Sequence, residues 1–257
     1  MIAIPETFVD LVTSGFWLFA AVFLRVSTLV SVLPAFGERS VPARVKLILA
    51  FAFCAIVVPA VPVFDHPTTP GGFAKFAVTE AIVGLALGIG LRLFVLALQT
   101  AGAIAAQSTS LSQILGGAAA DPIPAMGYIL VVAGLALAVM AGLHVRAAEL
   151  LILSYDVFPA GQFPDAQSLS AWGLAQVSQA FALAFTLAAP FVIASVIYNL
   201  ALGAINRAMP QLMVAFVGAP VITMGGLVLL FLIAPVLLSV WLEALMTFAA
   251  NPMSTTR

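Results

Sequence analysis

The chain has few charged residues and almost no cysteine or histidine. Only 7% of its 257 residues are Asp, Glu, Lys or Arg, and its net charge is -1. Soluble domains typically carry about 25% charged residues, and the near balance of charge excludes the basic surface that binds nucleic acid. A single cysteine, Cys54, excludes an internal disulfide framework and a cysteine-based metal site. We expect this thiol to be a small buried apolar group.

Sequence patterns of catalytic and cofactor sites are missing as well. His66 and His144 stand apart from any Cys, Asp or Glu cluster at metal-ligand spacing, and no serine lies in a Gly-x-Ser-x-Gly turn. The glycines from Gly84 to Gly90 lack the preceding strand and the full pattern of a dinucleotide-binding turn. The spacing of Gly84 and Gly88 favours instead the close approach of two helices. We therefore expect neither an enzyme nor a cofactor.

Long apolar runs dominate the sequence, in which 63% of the residues are hydrophobic. A helix rises about 1.5 Å per residue, so roughly 20 apolar residues cross the hydrocarbon core of a bilayer. None of the runs shows the alternation of polar and apolar residues that is typical of a membrane barrel. The sequence therefore predicts an all-α, multi-helix membrane-associated protein. The six candidate spans are residues 11–33, 47–64, 76–98, 123–145, 166–206 and 208–241.

The last two runs predict a helical hairpin. Asn206, Arg207 and Pro210 lie together between two apolar arms, and such a polar, proline-containing break ends one helix and begins the next. Three prolines inside the arms are each expected to kink or interrupt a helix, because proline removes a backbone donor. These are Pro190, Pro220 and Pro235.

The distribution of Lys and Arg indicates an orientation in the membrane. Arg39, Arg44 and Lys46 follow the first run and Arg207 follows the fifth, so alternating spans place these residues on the cytoplasmic side. Both termini then face outward. Residues 107–121, which this count also places on the cytoplasmic side, contain no Lys or Arg.

Three charged residues lie inside the predicted spans: Arg25, Glu80 and Arg92. An ionised side chain in hydrocarbon is costly and usually faces a partner, a cavity or a bundle interior. These residues therefore are candidates for contacts with neighbouring subunits or with a water-filled lumen. They could equally lie near helix ends and extend to the interface, or belong to helices that are not fully in lipid.

The segment between the third and fourth runs is small, polar and rich in glycine. Irregular backbone at membrane depth is tolerated only against protein or water, so this segment suits a re-entrant plug. A plain solvent-exposed loop is the other interpretation, and composition alone favours it. The residues that would form the plug are Gln107, Ser110, Leu111, Ile114, Leu115, Gly116, Gly117 and Asp121.

Two segments resemble a known family. Residues 36–46 read FGERSVPARVK, and residues 206–220 read NRAMPQLMVAFVGAP. Both are similar to the FliR family of the flagellar type III export apparatus and to its virulence counterparts, the Asn-Arg-x-x-Pro-Gln stretch most specifically. The resemblance implies a bacterial inner-membrane protein of the flagellar basal body. It also implies assembly with FliP and FliQ, near FlhB and FlhA, into the entrance and channel for unfolded export substrates.

The resemblance also assigns roles to parts of the chain. It implies a FliP-like helical part over residues 1–165 and a FliQ-like helical hairpin over residues 166–257. It makes residues 107–121 a pore plug, although the family's aromatic residue before Asp-Pro is replaced here by Leu111, Ile114 and Leu115, followed by Gly and Ala. It places the hairpin tip beside FlhB and buries the in-span charges against sister subunits or the lumen. The tip residues are Asn206, Arg207, Pro210 and Gln211.

A small-solute secondary transporter of the inner membrane is the alternative function. Such a protein is expected to contain paired helix breaks, charges that converge at the midplane and inverted internal repeats. Pro190 and Pro220 lie inside apolar runs, but the sequence shows no convincing repeat. An intramembrane enzyme is a third possibility, and the lack of a nucleophile paired with a base disfavours it.

Overall fold

A computed structural model describes residues 6–64, 67, 69–109, 125–209 and 214–253. Within these residues the chain forms seven α-helices and one short 3-10 turn at Val58–Ala60, and it contains no β-strand. The predicted all-α, multi-helix fold is therefore confirmed. The helices are α1 Glu6–Val32, α2 Ala43–Val57, α3 Pro70–Thr109, α4 Ala125–Met140, α5 Leu143–Val157, α6 Ala166–Ala208 and α7 Val214–Ala250.

Most of these helices are long and apolar enough to cross a membrane. Five segments pass by length and hydropathy, and α4 with α5 forms a bent pair that would make a sixth. Three helices are much longer than one crossing needs: α3 has 40 residues, α6 has 43 and α7 has 37. The chain is therefore a multi-span membrane protein.

The run over residues 123–145 is not one continuous helix, although α4 and α5 together would still make one bent span. α4 ends at Met140, and Gly142 follows with a φ of 86°, a left-handed conformation that favours glycine. α5 then begins at Leu143 and continues to Val157. Most of this helix lies between the fourth and fifth candidate spans, where we expected a loop. Hydropathy did not predict this helix, because α5 contains charged residues such as Arg146 and Glu149.

The prolines inside the hairpin arms do not interrupt the helices. α6 continues through Pro190, and α7 continues through Pro220 and Pro235, so none of these prolines breaks its helix, and a kink at each stays a prediction. In an apolar environment no water replaces lost backbone hydrogen bonds, and continuing the helix on both sides of a proline leaves fewer groups unpaired than a break does. The break predicted near residues 206–210 is confirmed, since α6 ends at Ala208 and α7 begins at Val214.

The chain forms two compact units, each assembled from separated stretches. Unit 1 comprises residues 1–92, 139–176 and 246–257, and unit 2 comprises residues 93–138 and 177–245. The predicted division into a FliP-like part and a FliQ-like hairpin rests on likeness to those proteins and stays a prediction. The N-terminus of α6 at Ala166 marks its boundary.

Unit 1 is built on the close contact of α1 with α3. A Cβ atom added at Gly84 would lie 2.1 Å from the backbone oxygen of Arg25, and one added at Gly88 would lie 2.4 Å from a methyl carbon of Val32. The close approach predicted from the Gly84 and Gly88 spacing is thus confirmed. The thiol of Cys54 on α2 is fully buried, as predicted.

Unit 2 packs α4, α6 and α7 against the second half of α3. A Cβ atom added at Gly102 would lie 2.1 Å from the Cα of Gly127, so α3 and α4 are in backbone contact. Trp241 of α7 is fully buried and donates its indole N–H to the backbone oxygen of Phe94, at 2.8 Å. The Tyr198 hydroxyl of α6 donates to the Gly218 oxygen of α7, also at 2.8 Å, which joins the two arms near the break.

Candidate functional site

The main polar feature of unit 1 is an ion pair with no exposed surface. Both Arg25 on α1 and Glu80 on α3 have side chains with 0% exposure. Arg25 donates from Nε to Glu80 Oε2 at 2.8 Å and from Nη2 to Glu80 Oε1 at 3.2 Å. This two-point geometry matches the planar fork of the guanidinium to both carboxylate oxygens.

Groups from α5 and the turn after it complete the hydrogen bonding of the pair. Arg25 Nη1 donates to Ser154 Oγ at 3.0 Å, and Nη2 donates to the Phe158 backbone oxygen at 2.9 Å. The guanidinium carbon lies 3.7 Å from the centre of the Tyr155 ring, which adds a cation–π contact. On the opposite side, the Gly161 N–H donates to Glu80 Oε1 at 2.9 Å.

Backbone geometry brings these groups together. Gly84 lies one helical turn after Glu80, and its lack of a side chain allows α3 to approach the backbone of α1 at Arg25. Gly161 has a φ of 71°, and a Cβ atom there would lie 2.6 Å from Cδ2 of Phe76. A glycine is therefore required both by the conformation and by the space. This turn points the Gly161 N–H at the carboxylate.

This cluster joins α1, α3 and α5 through hydrogen bonds within the chain. An unpaired buried charge would be strongly destabilising, whereas here each oxygen of Glu80 and each nitrogen of the Arg25 guanidinium has a partner. Neither side chain has exposed surface, and the predicted contact of Arg25 and Glu80 with a neighbouring subunit or the lumen stays a prediction. Among the described residues no group of three or more His, Cys, Asp or Glu could hold a metal ion.

The third in-span charge, Arg92, fixes the loop that follows α1. Arg92 near the middle of α3 pairs with both oxygens of Glu38, the second contact at 3.0 Å. Both side chains are partly exposed, at 26% and 22%. Lys46 of α2 donates to the Gly37 oxygen at 2.8 Å. In the FGERSVPARVK segment, Gly37 is thus bonded to Lys46 of α2, and Glu38 is paired with Arg92 of α3.

The base of the plug-like segment lies in unit 2, at the end of α3. Gln107 is exposed there, and the backbone oxygen of Ser108 accepts a hydrogen bond from Ser195 Oγ of α6 at 2.5 Å. Thr109 is buried, and a Cβ atom added at Gly226 of α7 would lie 2.5 Å from its methyl carbon. Ser110, Leu111, Ile114, Leu115, Gly116, Gly117 and Asp121 lie outside the described residues.

Described residues on both sides of this segment lie near the same point of α7. Met126, in the first turn of α4, would also contact a Cβ atom at Gly226, at 3.3 Å. Next to Thr109 lies a cavity of about 280 Å³ between α6 and α7, whose walls include Phe191, Tyr198 and Ile222. Thr109 and Met126, one on each side of residues 110–124, therefore both lie beside Gly226.

The hairpin tip exposes its described polar residues. Asn206 and Arg207 lie in the last turn of α6, and both are exposed to the surroundings. Pro210 and Gln211 lie outside the described residues. The Arg207 side chain therefore is available to a partner, but the predicted contact with FlhB stays a prediction.

Sequence reasoning identified Arg25 and Glu80 but missed most of the groups around them. Ser154 and Tyr155 lie on α5 and Phe158 directly follows it, in a region expected to be a loop, so no pattern indicated that they face the ion pair. Gly161 follows the Pro159-Ala160 pair, and a glycine in such a turn is a signal for a positive φ. That signal could have indicated the turn, although not its carboxylate partner.

Comparison with known proteins agrees with this helical architecture. The model of the family described as bacterial export proteins, family 1, matches residues 16–248. The flagellar biosynthetic protein FliR of Caulobacter vibrioides is 33% identical over 228 residues, which cover 87% of this chain and 91% of that protein. FliR of Escherichia coli is 30% identical over 220 residues, 83% of each chain, and FliR of Bacillus subtilis is 28% identical over 214 residues. With nearly its whole length matched, the chain belongs to the FliR family of bacterial export proteins.

Proposed function

We propose that this chain is a non-enzymatic subunit of the flagellar type III export gate in the bacterial inner membrane, at the flagellar basal body. In this proposal it assembles with FliP and FliQ, near FlhB and FlhA, to form the entrance and channel for unfolded export substrates. Its family and the names of its relatives, which are flagellar biosynthetic proteins, support a role in flagellar export.

The main support for assembly with other proteins is the length of exposed apolar surface along α6. Leu174 is 73% exposed and Ile205 is 47% exposed, and large exposed side chains such as Phe185 and Leu200 lie between them. Leu174 and Ile205 are 31 positions apart. At about 1.5 Å per residue, roughly 46 Å of helix thus presents apolar side chains.

A bilayer cannot cover all of that surface. The hydrocarbon core is about 30 Å thick, and even a helix tilted by about 40° uses only about 39 Å of its length to cross it. Exposed apolar surface beyond this length is unfavourable in water and marks contact with other proteins. FliP and FliQ are the partners that the family resemblance implies.

Co-expression with FliP and FliQ tests this assembly. We expect the three proteins to be purified together through a tag on this chain alone, and we expect a strain lacking the chain to lose motility and secretion of hook protein. Restoration of both by the cloned chain is the positive control. Solute uptake by vesicles that contain the chain alone, together with no recovery of FliP or FliQ, would support the transporter alternative instead.

The hairpin tip is the proposed contact with FlhB. Asn206 and Arg207 are exposed there, and Pro210 and Gln211 complete the proposed contact. Arg207→Glu reverses the charge of the tip, so we expect weaker recovery of FlhB with unchanged recovery of FliP. Arg146→Glu, an exposed arginine of unit 1, is the matched control. Equal recovery of FlhB from both variants would reject the contact.

The plug remains a proposal for residues 107–121. The positions of Thr109 and Met126 beside Gly226 support it, because residues before and after the undescribed part of the segment lie at one site. Deleting residues 116–120 should leave assembly with FliP and FliQ intact and make cells permeable to small solutes. An unchanged ion leak in an assembled complex would reject the plug.

A further inference from the structure

A cavity of about 320 Å³ opens at the surface of unit 1, between α3, α5 and the residues that follow α7. Its walls are mostly apolar and include Leu87 of α3, Leu153 and Val157 of α5, and Met253. Pockets that bind small molecules have volumes of about 300–1,000 Å³, so this cavity lies at the lower end of that range. A space of this size accommodates a large apolar side chain.

Hydrogen bonds hold the walls of this cavity in place. Ser154 and Phe158 line it, and both accept hydrogen bonds from the buried Arg25, at 3.0 and 2.9 Å. The backbone oxygen of Pro252, another wall residue, accepts a hydrogen bond from the indole N–H of Trp172 at 2.8 Å. The cavity therefore is preformed, and a group that enters it does not have to order its walls first.

One face of α5 at the mouth of the cavity combines apolar residues with a negative charge. Leu153 is 51% exposed and Val157 is 54% exposed. Asp156 also lines the cavity, is exposed, and takes part in no ion pair within the described part of the chain. The three residues are three or four positions apart, so they share one face of the helix.

The carboxylate of Asp156 disfavours lipid as the group that covers this face. An ionised side chain is costly in hydrocarbon, so this end of α5 faces water or protein. An apolar cavity with exposed apolar residues at its mouth is unfavourable in water and marks a contact with a protein. The charge of Asp156 is complementary to a cationic group on that protein. The occupant therefore combines an apolar side chain with a Lys or Arg.

We propose that a helix of another protein inserts a large apolar side chain into this cavity and pairs a Lys or Arg, one helical turn away, with Asp156. Residues three or four apart on a helix surface are separated by about 5–6 Å, which is also the spacing expected for Leu153 and Asp156. The buried apolar side chain supplies most of the affinity, and the ion pair favours the correct partner. The partner is defined by this chemistry alone, so the docking site does not depend on assembly with FliP and FliQ.

Photo-crosslinking in living cells tests this docking site. The photoreactive amino acid p-benzoylphenylalanine replaces Leu153 in motile cells that contain no other copy of the chain, and mass spectrometry identifies the cross-linked peptide. We expect a protein peptide with a Lys or Arg within four residues of the cross-linked position. Asp156→Lys places like charges opposite each other and should lower the cross-linked yield by about tenfold or more. Replacing the identified Lys or Arg of the partner with Asp should then restore the yield.

Matched controls on α5 separate the docking site from a general effect of charge. Glu149→Lys reverses an exposed carboxylate that does not line the cavity, and it should leave the yield at Leu153 unchanged. Val145, also 51% exposed and outside the cavity, is the control position for the photoreactive amino acid, where Asp156→Lys should have no effect. Thermal unfolding in detergent should show equal stability of Asp156→Lys and Glu149→Lys.

Three results would overturn the docking site. The first is the absence of any protein cross-link at Leu153, including the case in which only phospholipid is attached. The second is a cross-linked peptide without a Lys or Arg near the cross-linked position. The third is an equal yield in Asp156→Lys and Glu149→Lys, because the apolar contact would then form without the ion pair.

Discussion

At the scale of single residues, the arrangement around Arg25 shows how this chain tolerates a full charge inside an apolar structure. The guanidinium receives a carboxylate from α3, a hydroxyl from α5 and a carbonyl from the following turn. Desolvating a charge costs several kcal/mol, and only a complete set of partners offsets that cost. The cluster thus joins three separated parts of unit 1, and its partners act as a set.

Removing one member of the ion pair should be more harmful than removing both. Glu80→Gln leaves the Arg25 charge buried without a counter-ion, and we expect a loss of about 3–5 kcal/mol. The double variant Arg25→Met/Glu80→Leu removes both charges, while Ser154 keeps its bond to the Leu151 oxygen at 2.7 Å. We expect it to be more stable than the single variant. Thermal unfolding in detergent measures the difference.

The exposed ion pair of α5 provides the control for this comparison. Arg146 and Glu149 lie 2.8 Å apart, with side chains about half exposed at 49% and 48%. Exposed pairs contribute about 0–1 kcal/mol, so Glu149→Gln should change stability very little. An equal loss in Glu80→Gln and Glu149→Gln would show that the buried cluster has no special role.

The sequence identified both charges of the buried pair, since each interrupts an apolar run. It could not show that they bond to each other, because they are 55 positions apart and belong to different helices. Pairing depends on the register of α1 against α3, which the close contact at Gly84 sets. Apolar periodicity reports which residues face inward, but it leaves that register open.

At the scale of helices, the contact between α1 and α3 depends on Gly84. A methyl group there would meet the Arg25 oxygen at 2.1 Å and the Thr28 hydroxyl at 2.2 Å. Because the obstacle is helix backbone, Gly84→Ala should separate the helices and destabilise the protein by roughly 2–3 kcal/mol. Gly173→Ala in α6 meets no atom within 4 Å and should be neutral or slightly stabilising. Similar melting temperatures of the two variants would contradict this prediction.

The N-terminus of α6 is capped by the carboxylate of Asp165. Asp165 accepts a hydrogen bond from the Ser168 N–H at 2.8 Å, and this bond lowers the pKa of Asp165 below its usual value of 3.8. The stabilisation is therefore present above pH 3.8 and disappears as the pH falls through the lowered pKa.

Substitutions of Asp165 should separate the cap from its charge. Asp165→Ala should lower the melting temperature at neutral pH, because the Ser168 N–H loses its acceptor. Asp165→Asn retains an acceptor and should preserve most of the stability. The acid-dependent loss should be smaller in both variants than in the unchanged chain. Thermal unfolding between neutral pH and pH 3 measures this, and parallel pH profiles for all three proteins would exclude a role for the cap.

Most helices could be predicted from hydropathy, but some of their boundaries could not. The run over residues 123–145 contains no charge, and only the local geometry at Gly142 reveals that α4 ends there. α5 was missed because Arg146 and Glu149 dilute its apolar face. Conversely, Pro190 was expected to kink or interrupt α6, and α6 continues through it. Hydropathy measures transfer to lipid, whereas these boundaries depend on backbone hydrogen bonds.

At the scale of the whole molecule, the chain carries more outward-facing apolar surface than one membrane crossing can use. Within the apolar stretches of α6 and α7, only 28% and 22% are buried inside the chain, respectively. The membrane accounts for about 20 residues of each helix, and α6 and α7 have 43 and 37 residues. We expect other subunits to cover the remaining surface. The sequence showed the length of the apolar runs but not which faces stay uncovered.

Cysteine labelling along α6 should locate the part of this surface that other subunits cover. Cys54 is fully buried, so Cys54→Ala provides a background for single cysteines at Leu174, Phe185, Ile193 and Leu200. These side chains are between 59% and 73% exposed, and because detergent covers about 20 residues of the helix as lipid does, we expect the cysteine at one end of the series at least to react with a maleimide in the isolated, solubilised chain.

If the proposed complex with FliP and FliQ forms, at least one end of this series should become protected in it. The first and last positions are 26 residues apart, more than the roughly 20 residues that a bilayer covers, so lipid alone cannot account for the whole face. The unchanged chain, in which Cys54 should stay unreactive in both states, reports that the fold is intact. Equal labelling rates at all four positions with and without FliP and FliQ would show that this face of α6 is not a subunit interface.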